Sequence, residues 1–300
     1  MFEIIEKIIP IILIFLLGYF LKSTKLLKEE NASLFLKVVF YISLPALIIL
    51  SSSSIKLSAD LIYLPLAPLA IIFITFFVSF LIGRLLNLPR PTMGVLLTGT
   101  MIMNMGFLLP FFIAAYGNEG LAMASLFDFG NGLLAYTLVY FLACKYGNNS
   151  YNAKAMLKKF IVSPPLWALA IAILLNLLHI KTSVVVNNFF QLLGNLTLPL
   201  IMLSLGIYFK PKITKFMPLS FAVLIRMFLG LLLGYAIVSL LNINGLSKSI
   251  ILISSAAPIG YNTLTFASME KLDIDFAASI VSYSVLIGII ITPLLLFLLN

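Results

Sequence analysis

The chain has 300 residues, 62% of them hydrophobic and only 10% charged, with a mean hydropathy of +1.16. A soluble domain is about a quarter charged, so this composition excludes one and points to an all-α polytopic membrane protein. The net charge of +9 does not signal nucleic acid, because the cations sit in short clusters between apolar runs, as in loops facing the cytoplasm.

A helix needs about 20 apolar residues to cross a bilayer. That window predicts ten spans, at 4–22, 32–52, 60–83, 92–114, 118–144, 160–179, 185–208, 217–241, 248–269 and 273–299. The chain opens with Met1-Phe2-Glu3-Ile4-Ile5-Glu6-Lys7, acidic and followed by no small-residue cleavage site. The first span is therefore expected to be retained, unlike a signal peptide. Lys37, just inside the second span, reads as an anchor that snorkels to the surface.

The fourth and ninth spans are interrupted. Thr98-Gly99-Thr100-Met101-Ile102-Met103-Asn104-Met105-Gly106-Phe107-Leu108-Leu109-Pro110 lies in the fourth, and Ser254-Ser255-Ala256-Ala257-Pro258-Ile259-Gly260-Tyr261-Asn262-Thr263 in the ninth. Lipid cannot satisfy a broken helix, so such residues are tolerated only where freed backbone groups face protein, a cavity or a ligand. Asn104 and Asn262 supply amide donors and acceptors. Gly106 and Gly260 permit an unusual chain path, and Pro110 and Pro258 each remove a helix hydrogen bond. Paired interruptions at corresponding places in two halves mark a transporter's binding site, and two half-helix ends facing each other attract a small anion. The alternative is two ordinary proline kinks.

Asp128 is the carboxylate deepest in a span, about 15 Å from the outer end of the fifth at the helical rise. Such an acid faces a cavity or partner; it either binds and releases a proton during transport or bonds a neighbouring helix. Arg226 is the cation of equal depth, read as a bidentate partner for a substrate carboxylate, an ion pair with Asp128, or a snorkelling side chain. Asn131, Asn195, Gln191, Ser254, Ser255 and Thr263 are further candidates, and Gly230 with Gly234 suits close helix packing. Cys144 is the only cysteine, which excludes an internal disulfide and thiolate metal sites. The one histidine, His179, reads as interfacial, so no metal or cofactor is expected.

Thirteen Lys and Arg fall in the loops after odd-numbered spans, against four (Lys7, Lys56, Lys181, Lys248) in the termini and the other loops. That bias places the odd loops in the cytoplasm and both termini outside. The longest polar segment, Lys145 to Pro165 with Asn148-Asn149-Ser150, falls mid-chain. At an offset of 154–155 residues across it, Pro45 meets Pro199, and Ser43-Leu44-Pro45-Ala46-Leu47 meets Thr197-Leu198-Pro199-Leu200-Ile201. Residues 1–150 and 151–300 therefore read as two five-helix repeats, and an odd number of spans inserts them with opposite orientation.

Asn104-x-Gly106-x-x-x-Pro110, followed by Tyr116-Gly117-Asn118-Glu119-Gly120-Leu121-Ala122, resembles the auxin efflux carrier family. So do Ser255-Ala256-Ala257-Pro258-x-x-x-Asn262 with Asp273-Ile274-Asp275-Phe276-Ala277-Ala278, and Phe40-Tyr41-x-x-Leu44-Pro45-Ala46-Leu47. The resemblance implies a carrier of organic anions, since bacterial members are described as malate or dicarboxylate permeases and plant relatives export auxin. It implies a fold similar to bile-acid symporters and sodium/proton antiporters, with spans four and nine crossing beside a rigid scaffold. The long central loop of the plant carriers is absent, and Asp128 stands without the antiporters' adjacent second acid, which argues against cation exchange.

The expectation is a secondary transporter, not an enzyme, moving a small carboxylate across the cytoplasmic membrane by alternating access. Asn104, Gly106, Pro110, Pro258, Gly260, Asn262 and Arg226 would form the substrate site, with Asp128 and Asn131 for coupling to a proton or sodium. A cation/proton antiporter or an anion channel of the same fold is the alternative. The partners expected are substrate, coupling ion and lipid bilayer, with a homodimer left open and no nucleic acid.

Overall fold

A computed structural model describes residues 2–52, 59–147, 158, 161–178, 180, 182–210 and 212–299. His179, Lys56, Lys154, Lys159, Lys181 and Asn148-Asn149-Ser150 lie outside the described residues.

The described chain is helical: α1 (Phe2–Ser23), α2 (Glu29–Leu50), α3 (Tyr63–Leu85), α4 (Arg90–Met101) and α5 (Met105–Tyr146) come first. After them run α6 (Pro164–Leu177), α7 (Val184–Tyr208), α8 (Phe216–Leu240), α9 (Gly245–Ser255), α10 (Asn262–Met269) and α11 (Ile274–Leu299). Among the described residues six of these, α2, α3, α5, α7, α8 and α11, are long and apolar enough to cross a membrane. The 42 residues of α5 would be too long for one crossing, and Gly117, at φ 61° and ψ −147°, bends the chain there. That conformation is open essentially to glycine alone, so Gly117 divides α5 where the fourth and fifth spans were expected to meet.

Local chemistry sets the ends. Proline occupies the first turn of α4 and of α6, where an amide has no helical partner to lose. Ser183 Oγ caps α7 by accepting from Val186 N at 3.4 Å. The last helix begins at Ile274, one residue later than expected, because Asp273 stays outside it as its cap and accepts from Phe276 N at 3.1 Å.

Leu13, Phe20, Phe77, Leu81, Leu232 and Ile290 are exposed on the outer faces, as suits helices solvated by lipid. The interior packs Phe107, Phe111, Phe112, Phe127 and Phe276 around the two breaks. Some buried hydroxyls bond within their own helices or across: Thr75 Oγ1 donates to Ile71 O at 2.9 Å, and Ser79 Oγ to Thr100 Oγ1 at 2.7 Å.

Candidate functional site: the crossing of two broken helices

The helix α4 stops at Met101 because Ile102 turns extended, at φ −88° and ψ 125°. The chain re-enters a helix at Met105, capped by Asn104, whose Oδ1 accepts from Phe107 N at 3.1 Å. In the second half α9 ends at Ser255, and the chain runs through Ala256 to Tyr261 before α10. The two unwound segments meet as a short antiparallel bridge between Met103 and Ile259. Asn104 N donates to Pro258 O at 2.9 Å, and Gly260 N to Ile102 O at 2.9 Å. Asn104 Nδ2 also reaches Ile259 O at 3.2 Å. Each break thus supplies the hydrogen-bond partners that the other has lost, which is how unwound backbone survives at depth.

Two further side chains hold the bridge. Asn131 Oδ1 accepts from Met103 N and its Nδ2 donates to Met103 O, both at 3.2 Å. The same Nδ2 donates to Asp128 Oδ1 at 2.9 Å, so the acid is tied to the crossing through one amide. On the second strand Ser284 Oγ accepts from Ile259 N at 3.0 Å.

Beside the crossing lies a cavity of about 790 Å³. Asn104, Gly106, Asp128, Asn131, Gly260 and Asn262 all line it. Asn131 and Asn104 are buried, Asp128 and Asn262 half-buried, and Gly106 is exposed to the space. Among the described residues no backbone carbonyl accepts from the amides of Gly106 or Asn262, which begin the two re-entering helices. The lining continues to Glu29 at the start of α2, Lys210 just after α7, Ser163 just before α6 and Ile274 at the start of α11. Lys210 Nζ pairs with Glu29 at 2.7 Å, and Lys22 approaches the same carboxylate at 3.6 Å.

Other expected residues lie elsewhere. Pro258 is in the break but acts through its carbonyl, its ring turned towards Gly288 rather than the cavity. Pro110 sits inside α5, buried and off the cavity lining. Arg226 is fully buried, also off the lining, and donates to Thr100 O at 3.1 Å and Ser255 O at 2.8 Å. Its hydrogen bonds thus go to backbone, and among the described residues the ion pairs are Lys22–Glu29, Lys210–Glu29 and Lys215–Asp273, none joining Arg226 to Asp128. Gln191 and Asn195 are exposed and bond each other at 2.7 Å, away from the crossing.

Several lining residues were not anticipated. Tyr136 lines the cavity and its hydroxyl hydrogen-bonds the Asn262 side chain. Lys37, read as a surface anchor, is part of the wall, as are Tyr208 and Tyr261, whose rings lie 4.4 Å apart. Off the lining, Glu270 is 2% exposed, with one oxygen bonded to the Tyr140 hydroxyl. An aromatic row at 136 and 140 reads as ordinary core in an apolar sequence, and Glu270 reads as loop; neither carries a local signal. Among the described residues no three His, Cys, Asp or Glu side chains gather where a metal could bind.

Paired broken helices beside a cavity that Asn104, Asp128, Asn131 and Asn262 line, in an apolar helical body, suit a membrane transport protein. The chain belongs to that family: the model described as "Membrane transport protein", of the auxin efflux carrier family, matches residues 3–296. It is similar to an uncharacterised transporter of Methanocaldococcus jannaschii, 30% identical over 284 residues, which cover 91% of this chain and 92% of the relative. It is also similar to an uncharacterised transporter of Methanothermobacter thermautotrophicus, 26% identical over 294 residues, covering 96% of each.

Proposed function

We propose that the protein is a secondary carrier of a small organic carboxylate in the cytoplasmic membrane, with its site at the crossing of the two breaks. The observation that supports this best is the meeting of two re-entering helix starts, at Met105 and Asn262, beside one cavity whose largely apolar wall carries Asn104, Asp128, Asn131 and Asn262. Helix N-termini present unpartnered amides and a partial positive charge, a ready environment for an anion. The amide side chains of Asn104 and Asn262 add neutral donors, and Lys37 and Lys210 draw anions towards the mouth. A volume of about 790 Å³ falls within the range of small-molecule sites.

The bounds of α2 and α7, α3 and α8, and α4 and α9 recur at nearly constant spacing, which supports two five-helix repeats over 1–150 and 151–300. On that reading the termini lie outside, and the cavity opens to the cytoplasm, since Glu29, Ser163, Lys210 and Ile274 all neighbour the Lys- and Arg-rich loops. Alternating access then closes this mouth and opens the equivalent path through the other repeat.

Asp128 couples the cycle to a proton. Ionised, it accepts from Asn131 Nδ2; protonated, it gains an O–H donor and becomes a weaker acceptor for the amide clamped on Met103. The experiment is uptake into proteoliposomes of a panel of mono- and dicarboxylates, with and without an imposed proton gradient. Saturable uptake of a carboxylate is expected, raised by the gradient. Uptake of none of them, or electrodiffusive currents far above carrier turnover, would overturn the proposal.

A further inference from the structure

Arg226 has no carboxylate partner among the described residues, yet it is fully buried in the middle of α8. An unpaired buried cation is costly unless something fixed and negative faces it. The two carbonyls it reaches, Thr100 O and Ser255 O, belong to the last turns of α4 and α9. Those are the ends of the two half-helices that stop at the crossing. Their last carbonyls have no helical partner, and each end carries the negative pole of its helix. One guanidinium therefore spans both poles, with its planar fork sending one N–H to each.

The surrounding chain is shaped to deliver it there. Arg226 lies in a π-helical turn, Leu224–Leu229, which inserts a residue and re-aims the side chains around it. A Cβ at Gly230 would stand 2.2 Å from Ser255 O and 2.5 Å from Arg226 Nη2, so glycine there is what lets the guanidinium and α9 come together. Of the carbonyls freed by the breaks, Ile102 O, Met103 O, Pro258 O and Ile259 O already accept from Gly260 N, Asn131 Nδ2, Asn104 N and Asn104 Nδ2.

Carriers with broken helices commonly place a coupling sodium at just such freed carbonyls and C-terminal ends. Here six such oxygens are taken: Thr100 O and Ser255 O face a guanidinium, and Ile102 O, Met103 O, Pro258 O and Ile259 O face an amide. We infer that Arg226 is the resident cation of the crossing, a positioning residue that holds the place a coupling sodium would take, so the cycle runs without sodium. The inference rests on the carrier reading and narrows its coupling ion to the proton.

The test needs no substrate. Thermal unfolding of the full chain, purified in detergent, is compared in sodium chloride, guanidinium chloride and choline chloride at equal millimolar concentrations. The wild-type midpoint is expected to be the same in all three salts. Arg226→Ala is expected to unfold at lower temperature and to regain about 2 °C or more in sodium or guanidinium but not in choline. Should that variant not fold, Arg226→Lys and Arg226→Gln carry the same contrast: the first is insensitive to sodium, the second stabilised by it. Saturable sodium stabilisation of the wild-type protein overturns the inference, as does a folded Arg226→Ala or Arg226→Gln that no cation stabilises. Absence of carboxylate uptake would sink the carrier proposal and leave this measurement unaffected.

Discussion

Asn131 ties the crossing through one amide, whose Oδ1 accepts from Met103 N and whose Nδ2 donates to Met103 O. Removing it strands the buried Met103 N–H, worth about 1–3 kcal/mol, while Met103 O keeps its bond from Met105 N at 3.0 Å. Asn131→Ala is therefore expected to lower the thermal midpoint. The two glycines at the breaks differ in kind. A Cβ at Gly260 would stand 2.3 Å from the Ile102 side chain, whereas one at Gly106 meets only Asn104 Oδ1, at 3.7 Å, and the open cavity. Gly260→Ala should cost about 1–3 kcal/mol by overpacking, and Gly106→Ala almost nothing. Gly106→Val should keep the fold yet slow uptake by narrowing the cavity; equal uptake by Gly106→Val and wild type would place the path elsewhere. For Asp128→Asn the expected outcome is loss of gradient-driven accumulation with counterflow exchange retained. Undiminished accumulation would remove Asp128 from coupling.

The breaks after α4 and α9 were legible because Asn, Gly and Pro are conspicuous in the middle of an apolar run, and a helix in lipid has few other uses for them together. Where those residues point was not legible. Pro110 looks from its spacing like part of the break, but the chain is helical again by Met105 and the ring packs inside α5. The destination of Arg226 depends on a π-helical turn and on Gly230 meeting a helix 25 residues further along, and periodicity records neither. Tyr136 and Glu270 escaped for the same reason, since their partners are distant in sequence. Gly117 is the joint at which α5 bends, and its backbone angles disfavour any Cβ. Gly117→Ala is expected to cost about 1–3 kcal/mol, seen as a lower unfolding midpoint. At the same end as Lys145 and Lys212, Lys215 pairs with Asp273, and Thr92 Oγ1 donates to Asp273 at 2.7 Å, joining α4, α8 and α11. Burial alone would raise the Asp273 carboxyl, but bonds from Lys215, Thr92 and the Phe276 amide outweigh it and hold it below the usual 3.8. A depressed carboxylate stabilises the folded state above its unfolded value and loses that contribution as pH falls through the lower folded one. Acid titration below pH 3.8 should thus destabilise wild type more steeply than Asp273→Asn.

Taken whole, the described chain is an apolar helical body whose outer faces suit lipid and whose two breaks meet at one crossing. Composition alone was enough for the membrane assignment, since 10% charge cannot solvate a globular surface. The pairing of the two halves at Met103 and Ile259 needed coordinates, because an antiparallel bridge between segments so far apart in sequence leaves no local trace. The proposed carrier places an anion against Gly106 in a cavity open towards the Lys- and Arg-rich loops. Gly106 faces open space, so a cysteine fits there, and Cys144 is buried and replaceable by serine for a clean background. The deciding measurement is labelling of Gly106→Cys in oriented membrane vesicles with a membrane-impermeant thiol reagent. The account predicts labelling from the cytoplasmic side, slowed by the carboxylate that the protein transports. Labelling confined to the outer side, or a rate that no carboxylate changes, would contradict it.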